Sequence, residues 1–298
     1  MTEGAAPTPA RELKSGRLRA VPLPVAVGGM APNLLIALAL FVVPGAFVLV
    51  YSLGTLDYVS LGVGWGWSGA AYRTALGSPY IETLFRSLLL AGATVVACAP
   101  FAFAIAFVIN QARARVRVAL FLLVLFPFWT SFIVRTYAWT NILGPAGVVA
   151  DATAALGHRV VFIGTWSGIL IGMVASYLPI MTLPVYVALS RIPSEIVQAA
   201  RDLGATEARI VRTILIPAAA PGFAVGAFLV GIPATGEYVV PAVLGAGKTA
   251  LIGNLLADEL TQNGDYPLGA AVTMTLIVAL VLILVAIRLG SLAWRRFA

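Results

Sequence analysis

Apolar and polar positions alternate along this chain in long blocks. Six apolar blocks approach the ~20 residues needed to span a bilayer, at about Leu34–Leu53, Ser87–Ile109, Val118–Trp139, Val160–Leu189, Ala218–Leu244 and Leu268–Ile287. They predict six transmembrane helices. The longest polar interruption between them is Arg191–Pro217, RIPSEIVQAARDLGATEARIVRTILIP. Within it the pattern becomes helical: Ile196, Ala199, Ala200 and Leu203 share one face, and Ile210, Val211, Ile214 and Leu215 share a face of a second short helix. Ser194 is placed to cap the first helix, with Glu195 in its first turn, where a carboxylate suits the helix dipole. Gly204 is placed to end it, and Thr206 to cap the second, with Glu207 in its first turn. Pro217 leads into the next apolar block.

Composition makes the membrane reading firm. The 298 residues are 60% hydrophobic and 10% charged, where a soluble domain has about 25% charged. The fold class is therefore all-α and polytopic, with a cytoplasmic tail at 1–31, rich in Pro7, Pro9, Pro22 and Pro24, ahead of a membrane domain at 32–298. The first span is read as an uncleaved anchor. One cysteine, Cys98, and one histidine, His158, exclude a disulfide framework, a thiolate cluster and a histidine-based metal site or triad. The net charge of +7 is unevenly spread. Arg11, Lys14, Arg17, Arg19, Arg113, Arg115, Arg117, Arg191, Arg201, Arg209, Arg212, Arg288, Arg295 and Arg296 all fall on one side when the N-terminus is inside. The positive-inside rule then puts both termini in the cytoplasm and explains the basic balance without nucleic acid.

Several spans carry residues that lipid does not favour. The third reads LFPFWTSFIVRTYAWTNIL, with Pro127, Trp129, Arg135, Tyr137 and Trp139. An arginine at a helix centre costs about 2.5–3.5 kcal/mol on the insertion scale unless it is paired, faces water or snorkels. Pro179 and Pro184 break or kink the fourth span. The fifth holds Pro221, Gly231, Pro233, Gly236 and Pro241 around Glu237 and Tyr238. Interrupted backbone at membrane depth belongs in protein or beside a water-filled cavity. Glu237 is thus read either as a functional carboxylate or as the buried partner of Arg135. Trp65, Trp67 and Tyr72 suit a membrane–water boundary, and Asp57, Glu82, Asp151, Asp258, Glu259 and Asp265 scatter acid over the outer loops. The run Ala242–Thr249 matches a relaxed phosphate-loop pattern but follows a broken apolar span instead of a strand, so it is read as accidental.

The order Gln198-Ala199-Ala200, Gly204, Ile214 and Ile216-Pro217 resembles the EAA loop of permease subunits in bacterial ABC importers. Its spacing is kept throughout, with Gln198 in place of the first Glu and Ile216 in place of Leu. The runs FPFWTSFIVRTYAW and TGEYVVPAVLGAGKTALIGNLL are similar to the spermidine/putrescine (PotB-like) branch of the type I (MetI-like) permeases. The resemblance covers most of the chain after the tail. It implies a multi-pass, non-enzymatic subunit of the bacterial inner membrane, with no metal or cofactor of its own. Its implied partners are a second, PotC-like permease, a PotA-like ATPase dimer that binds ATP and Mg, a PotD-like external binding protein and membrane lipid. It implies that Glu195, Gln198, Ala199, Ala200, Asp202, Gly204 and Pro217 couple the chain to the ATPase, with Glu195 able to replace the missing acid at Gln198. Glu237 and Tyr238, with Trp129, Arg135, Tyr137 and Trp139, are expected along the substrate path, where carboxylates and aromatic faces suit a polyamine. Relatives for iron, thiamine, sulfate or opines share much of the pattern, and Arg135 leaves an anionic substrate open. An ion-coupled secondary transporter using Glu237 as a relay would carry inverted repeats, and none is visible.

Overall fold

The computed structural model describes residues 23–57, 62–64 and 66–297. Arg11, Lys14, Arg17, Arg19 and Trp65 lie outside them. The chain divides into two units, residues 1–47 and 48–298. The described part of the first is helix α1 (Leu23–Ser52) as far as Phe47. This helix starts inside the stretch predicted as tail, because Pro24 occupies its first turn, where a missing N–H is harmless. Leu35, Phe41 and Phe47 are exposed, the surface a lipid-facing helix presents.

In the second unit, a two-stranded antiparallel hairpin, β1 (Thr55–Asp57) with β2 (Gly62–Gly64), precedes α2 (Ala70–Ala75) and the long α3 (Tyr80–Gln111). The third predicted span is broken. Helix α4 (Ala114–Leu125) continues as a 3-10 turn, Phe126–Trp129, and α5 (Phe132–Leu143) leads into α6 (Val148–Ala155); the two halves are bent by 96°. Pro127 sits in the turn, and Thr130 and Ser131 adopt extended backbone, so the helical ladder stops there. The fourth span, α7 (Trp166–Ser190), begins later than the apolar block at Val160, where Thr165 caps it by accepting the Gly168 N–H. Helices α8 (Ser194–Asp202) and α9 (Glu207–Ile210) form the polar loop. A π turn, Val211–Leu215, then joins α10 (Ile216–Thr235). The fifth span therefore ends at Thr235, and α11 (Val239–Leu244) and α12 (Ile252–Asp258) follow as separate short helices. A second π turn, Glu259–Asn263, precedes α13 (Tyr266–Phe297). Five described helices are long and apolar enough to cross a membrane, or six if the bent pair counts as one span.

Helix α7 is the hub. Ile169, Met173, Tyr177 and Met181 bury one face against Leu90, Cys98 and Ala102 of α3 and Val230 and Ala234 of α10. Small residues bring α7 and α10 together: a Cβ on Gly222 would lie 2.6 Å from the Pro184 carbonyl oxygen. Close backbone approach of this kind drives helix association in lipid, where burial alone gives little. Below this core, Ala106, Val185, Leu189, Ile210, Leu215 and Ala219 form a second cluster that seats the polar loop. At the opposite end, Tyr80, Leu84, Ile252, Leu268 and Val272 tie α3, α12 and α13 together.

Candidate functional site

Two places carry unusual chemistry. The first is the Arg191–Pro217 loop. Pro193 takes the N-cap position of α8 and makes no side-chain cap. Ser194 is the first helical residue and donates to its neighbour Glu195 at 3.4 Å, so it does not cap the helix as expected. Thr206 does cap α9, accepting the Arg209 N–H at 3.4 Å. Gly204 has φ +80°, the left-handed conformation its sequence position predicts. Around it the Ala205 N–H reaches the Ala200 carbonyl at 3.0 Å and the Gly204 N–H reaches Arg201 at 2.9 Å. These two bonds are the Schellman closure of a helix C-terminus. Arg201 and Glu207 clasp across the turn at 2.6 and 3.2 Å. The hydrogen bonds that Arg201 donates to Glu207, and then the carboxylate's charge, push the Arg201 guanidinium above its ordinary value, so the clasp stays charged.

The second short helix buries the face its periodicity gives, whereas the first divides its apolar residues between two sides. Val197 and Ala200 pack on the cluster beneath, together with Ile210, Val211, Ile214 and Leu215. Ile196 and Leu203 point away, the latter 88% exposed. Ala199 is exposed with them, as are Glu195, Gln198, Asp202 and Pro217. Burying a different stripe leaves α8 with an apolar strip on its free side. Gln198 and Arg201 also line a cleft of ≈ 350 Å³ with Asn110, Arg117 and Ser194.

The second place is the break between α10 and α11. Gly236 ends α10, and Glu237 begins the interruption that the prolines predicted. One carboxylate oxygen, Oε1, accepts the N–H groups of Val239 at 2.9 Å and Val240 at 3.5 Å, capping α11. The other, Oε2, accepts the Tyr177 hydroxyl at 2.7 Å. Glu237 is half-buried, and no cation neutralises it among the described residues. The break is backed by Gly253, where a Cβ would lie 2.6 Å from the Gly236 oxygen and 2.8 Å from that of Glu237. Asn254 donates to the Tyr238 carbonyl at 3.1 Å. Tyr177, Gly253 and Asn254 escaped the sequence reading because each meets the break only through the fold.

Arg135 does not pair with Glu237. Its guanidinium donates to the Pro127 carbonyl across the bend of the third span and lies 5.5 Å from the Phe132 ring centroid. The same carbonyl accepts the Thr130 N–H at 3.3 Å and the Thr130 hydroxyl at 2.9 Å, so Arg135 joins Thr130 in clasping the bend instead of snorkelling. The expected aromatic lining is also dispersed. Trp129 packs edge-on to Phe126 at 6.3 Å, Trp139 packs against the α7 core, and Tyr137 and Tyr238 are exposed. None makes a hydrogen bond or ring contact with Glu237 among the described residues. On the side away from the polar loop, Trp67 is exposed and Tyr72 hydrogen-bonds Ser52 at 2.7 Å. The acids there are mostly engaged locally: Asp151 with Arg159, Asp258 with Gln262, Glu259 with Tyr80 and Asn263, and Asp265 with the Leu268 N–H. The Ala242–Thr249 run spans the end of α11 and a turn with Ala246 at φ 47°, with no preceding strand, so it is no phosphate loop.

Residues 99–297 match the family described as binding-protein-dependent transport system inner membrane component. The chain is 33% identical over 218 residues to the spermidine/putrescine transport system permease protein PotB of Escherichia coli strain K12, covering 72% of this chain and 78% of that protein. It is 30% identical over 216 residues to the PotB of Haemophilus influenzae, covering 72% and 76%. Among solved structures, a bacterial ABC transporter involved in the import of the acidic polysaccharide alginate matches with TM-score 0.69 at 18% identity, covering 90% of this chain and 95% of that one. That likeness concerns the fold.

Proposed function

Because this chain belongs to the binding-protein-dependent transport system inner membrane components, a family of transport subunits and not of enzymes, we propose that it carries polyamines through the membrane part of an ATP-driven importer. The observation that carries the substrate class is Glu237. Its carboxylate is held by Tyr177 and by the first N–H groups of α11, yet it has no cationic partner among the described residues. A carboxylate in a helix break within the membrane needs water or a cation, and a substrate ammonium supplies one. Identity of 30–33% with spermidine/putrescine permeases supports the same class. The alginate importer raises an acidic solute as a second reading. The residue that would favour it, Arg135, is engaged by Pro127.

The exposed strip Ile196, Ala199 and Leu203 is the docking face for a cytoplasmic ATPase in this reading, with Glu195, Gln198 and Asp202 at its edge. ATP and Mg belong to that ATPase. A second, PotC-like permease, a PotA-like ATPase pair and a PotD-like external binding protein complete the assembly. The basic bias puts both termini on the ATPase side, which accessibility of cysteines placed at Arg201 and Asp258 checks. The test of function is uptake into proteoliposomes holding the co-expressed assembly, ATP and binding protein. Labelled spermidine or putrescine should accumulate; accumulation of sulfate or alginate oligosaccharide instead would overturn the polyamine reading.

A further inference from the structure

The geometry points to a binding site for an anionic phospholipid in the groove between the N-terminal ends of α3 and α7. The two helices start on the same side of the molecule. The groove has a volume of ≈ 340 Å³ and is walled by Leu89, Ala93 and Leu170, with Arg86, Trp166 and Ser167 at its rim. Arg86 directly precedes the apolar block Ser87–Ile109, the point along a span from which a long basic side chain reaches the headgroups. No hydrogen bond or ion pair engages it among the described residues. Glu82, one turn earlier on the same helix, takes its bond from Ser78 at 3.0 Å and does not neutralise it.

The other rim belongs to α7. Trp166 is its first residue and is 41% exposed, the position interfacial tryptophans favour. Thr165 takes the Gly168 N–H, and the positive pole of this 25-residue helix faces the rim beside the Ser167 hydroxyl. A cation, a helix N-terminus and a hydroxyl above an apolar slot match a phosphodiester headgroup above one acyl chain. A wholly apolar occupant would leave Arg86 without a counterion in the membrane.

The test uses the assembled transporter in nanodiscs containing brominated phosphatidylglycerol or brominated phosphatidylcholine at equal mole fraction, reading tryptophan quenching. The phosphatidylglycerol discs should quench more. Arg86→Gln should weaken apparent phosphatidylglycerol affinity about fivefold, from the ~1 kcal/mol that one basic residue contributes near an anionic surface. Arg86→Lys should retain most of the affinity, Trp166→Phe should remove the excess quenching, and Arg73→Gln should leave it unchanged. Equal quenching by the two lipids would mean an acyl slot without headgroup selectivity and would overturn the site. So would an excess unaffected by Arg86→Gln, or no Trp166 component because a helix of a second permease covers the groove.

Discussion

Replacing Gly204 isolates the backbone of the α8–α9 turn from every contact around it. The residue sits at φ +80°, and a Cβ built there meets nothing within 4 Å. A side chain therefore adds no clash within the chain. The only penalty is the left-handed conformation itself, roughly 1–2 kcal/mol for an ordinary L-residue and less for Asn. That range shifts the population of the closed turn by a factor of about 5–30. The turn fixes where the Ile196–Leu203 strip points, so docking should weaken in the same proportion. We expect ATP-driven uptake to fall in the order wild type, Gly204→Asn, Gly204→Ala, Gly204→Val, with membrane levels of the chain unchanged. Co-purification of the ATPase should follow the same order. Asn is larger than Ala, so it separates backbone from bulk: if Gly204→Asn is as damaging as Gly204→Val, a steric contact with the partner explains the loss. Normal uptake by a well-expressed Gly204→Val variant would refute the reasoning outright.

Three further outcomes follow from the same geometry. Leu203→Asp, at an 88% exposed position, should abolish ATPase co-purification with little change in thermal stability, and a stability loss with docking intact would contradict it. Gly253→Ala places a methyl group 2.6 Å from the Gly236 oxygen, so it should lower stability by about 1–3 kcal/mol, as overpacking does, and reduce uptake by moving Glu237. Arg135→Gln should lose about 1.5–3 kcal/mol with the charged hydrogen bond to Pro127. Combined with Glu237→Gln, its stability effect should be additive within about 0.3–0.5 kcal/mol, whereas strong coupling would mean the two residues pair after all.

The span pattern was legible because lipid imposes it: every spanning helix must be long and apolar, and the five unbroken spans lie within the predicted blocks or overlap them. The Gly204 turn was legible too, since one residue type suits that conformation. What failed depends on neighbours. Ser194 looks like a cap, but Pro193 already occupies the flanking position with φ −60°. Ile196, Ala199, Ala200 and Leu203 read as one face, but the cluster under α8 takes Val197 and Ala200 and leaves the other three exposed. The 96° bend had its signal in Pro127 and Ser131, which a window of mean hydropathy averages away. Arg135 and Glu237 are the only opposite charges within the predicted spans, which invited pairing them. The structure instead gives each a partner, Pro127 and Tyr177, available only once the helices are broken and packed.

The claim that Glu237 holds a substrate ammonium is open to a direct measurement. Glu237→Gln keeps an oxygen to cap α11 and an amide for Tyr177 to accept from, so the assembly should form and the binding protein should still dock. Initial rates of ATP-driven spermidine uptake into proteoliposomes, wild type against Glu237→Gln, should then differ by about tenfold or more, the equivalent of about 1.4 kcal/mol, with Glu237→Asp intermediate. Unchanged spermidine uptake by a fully assembled Glu237→Gln transporter would contradict the account.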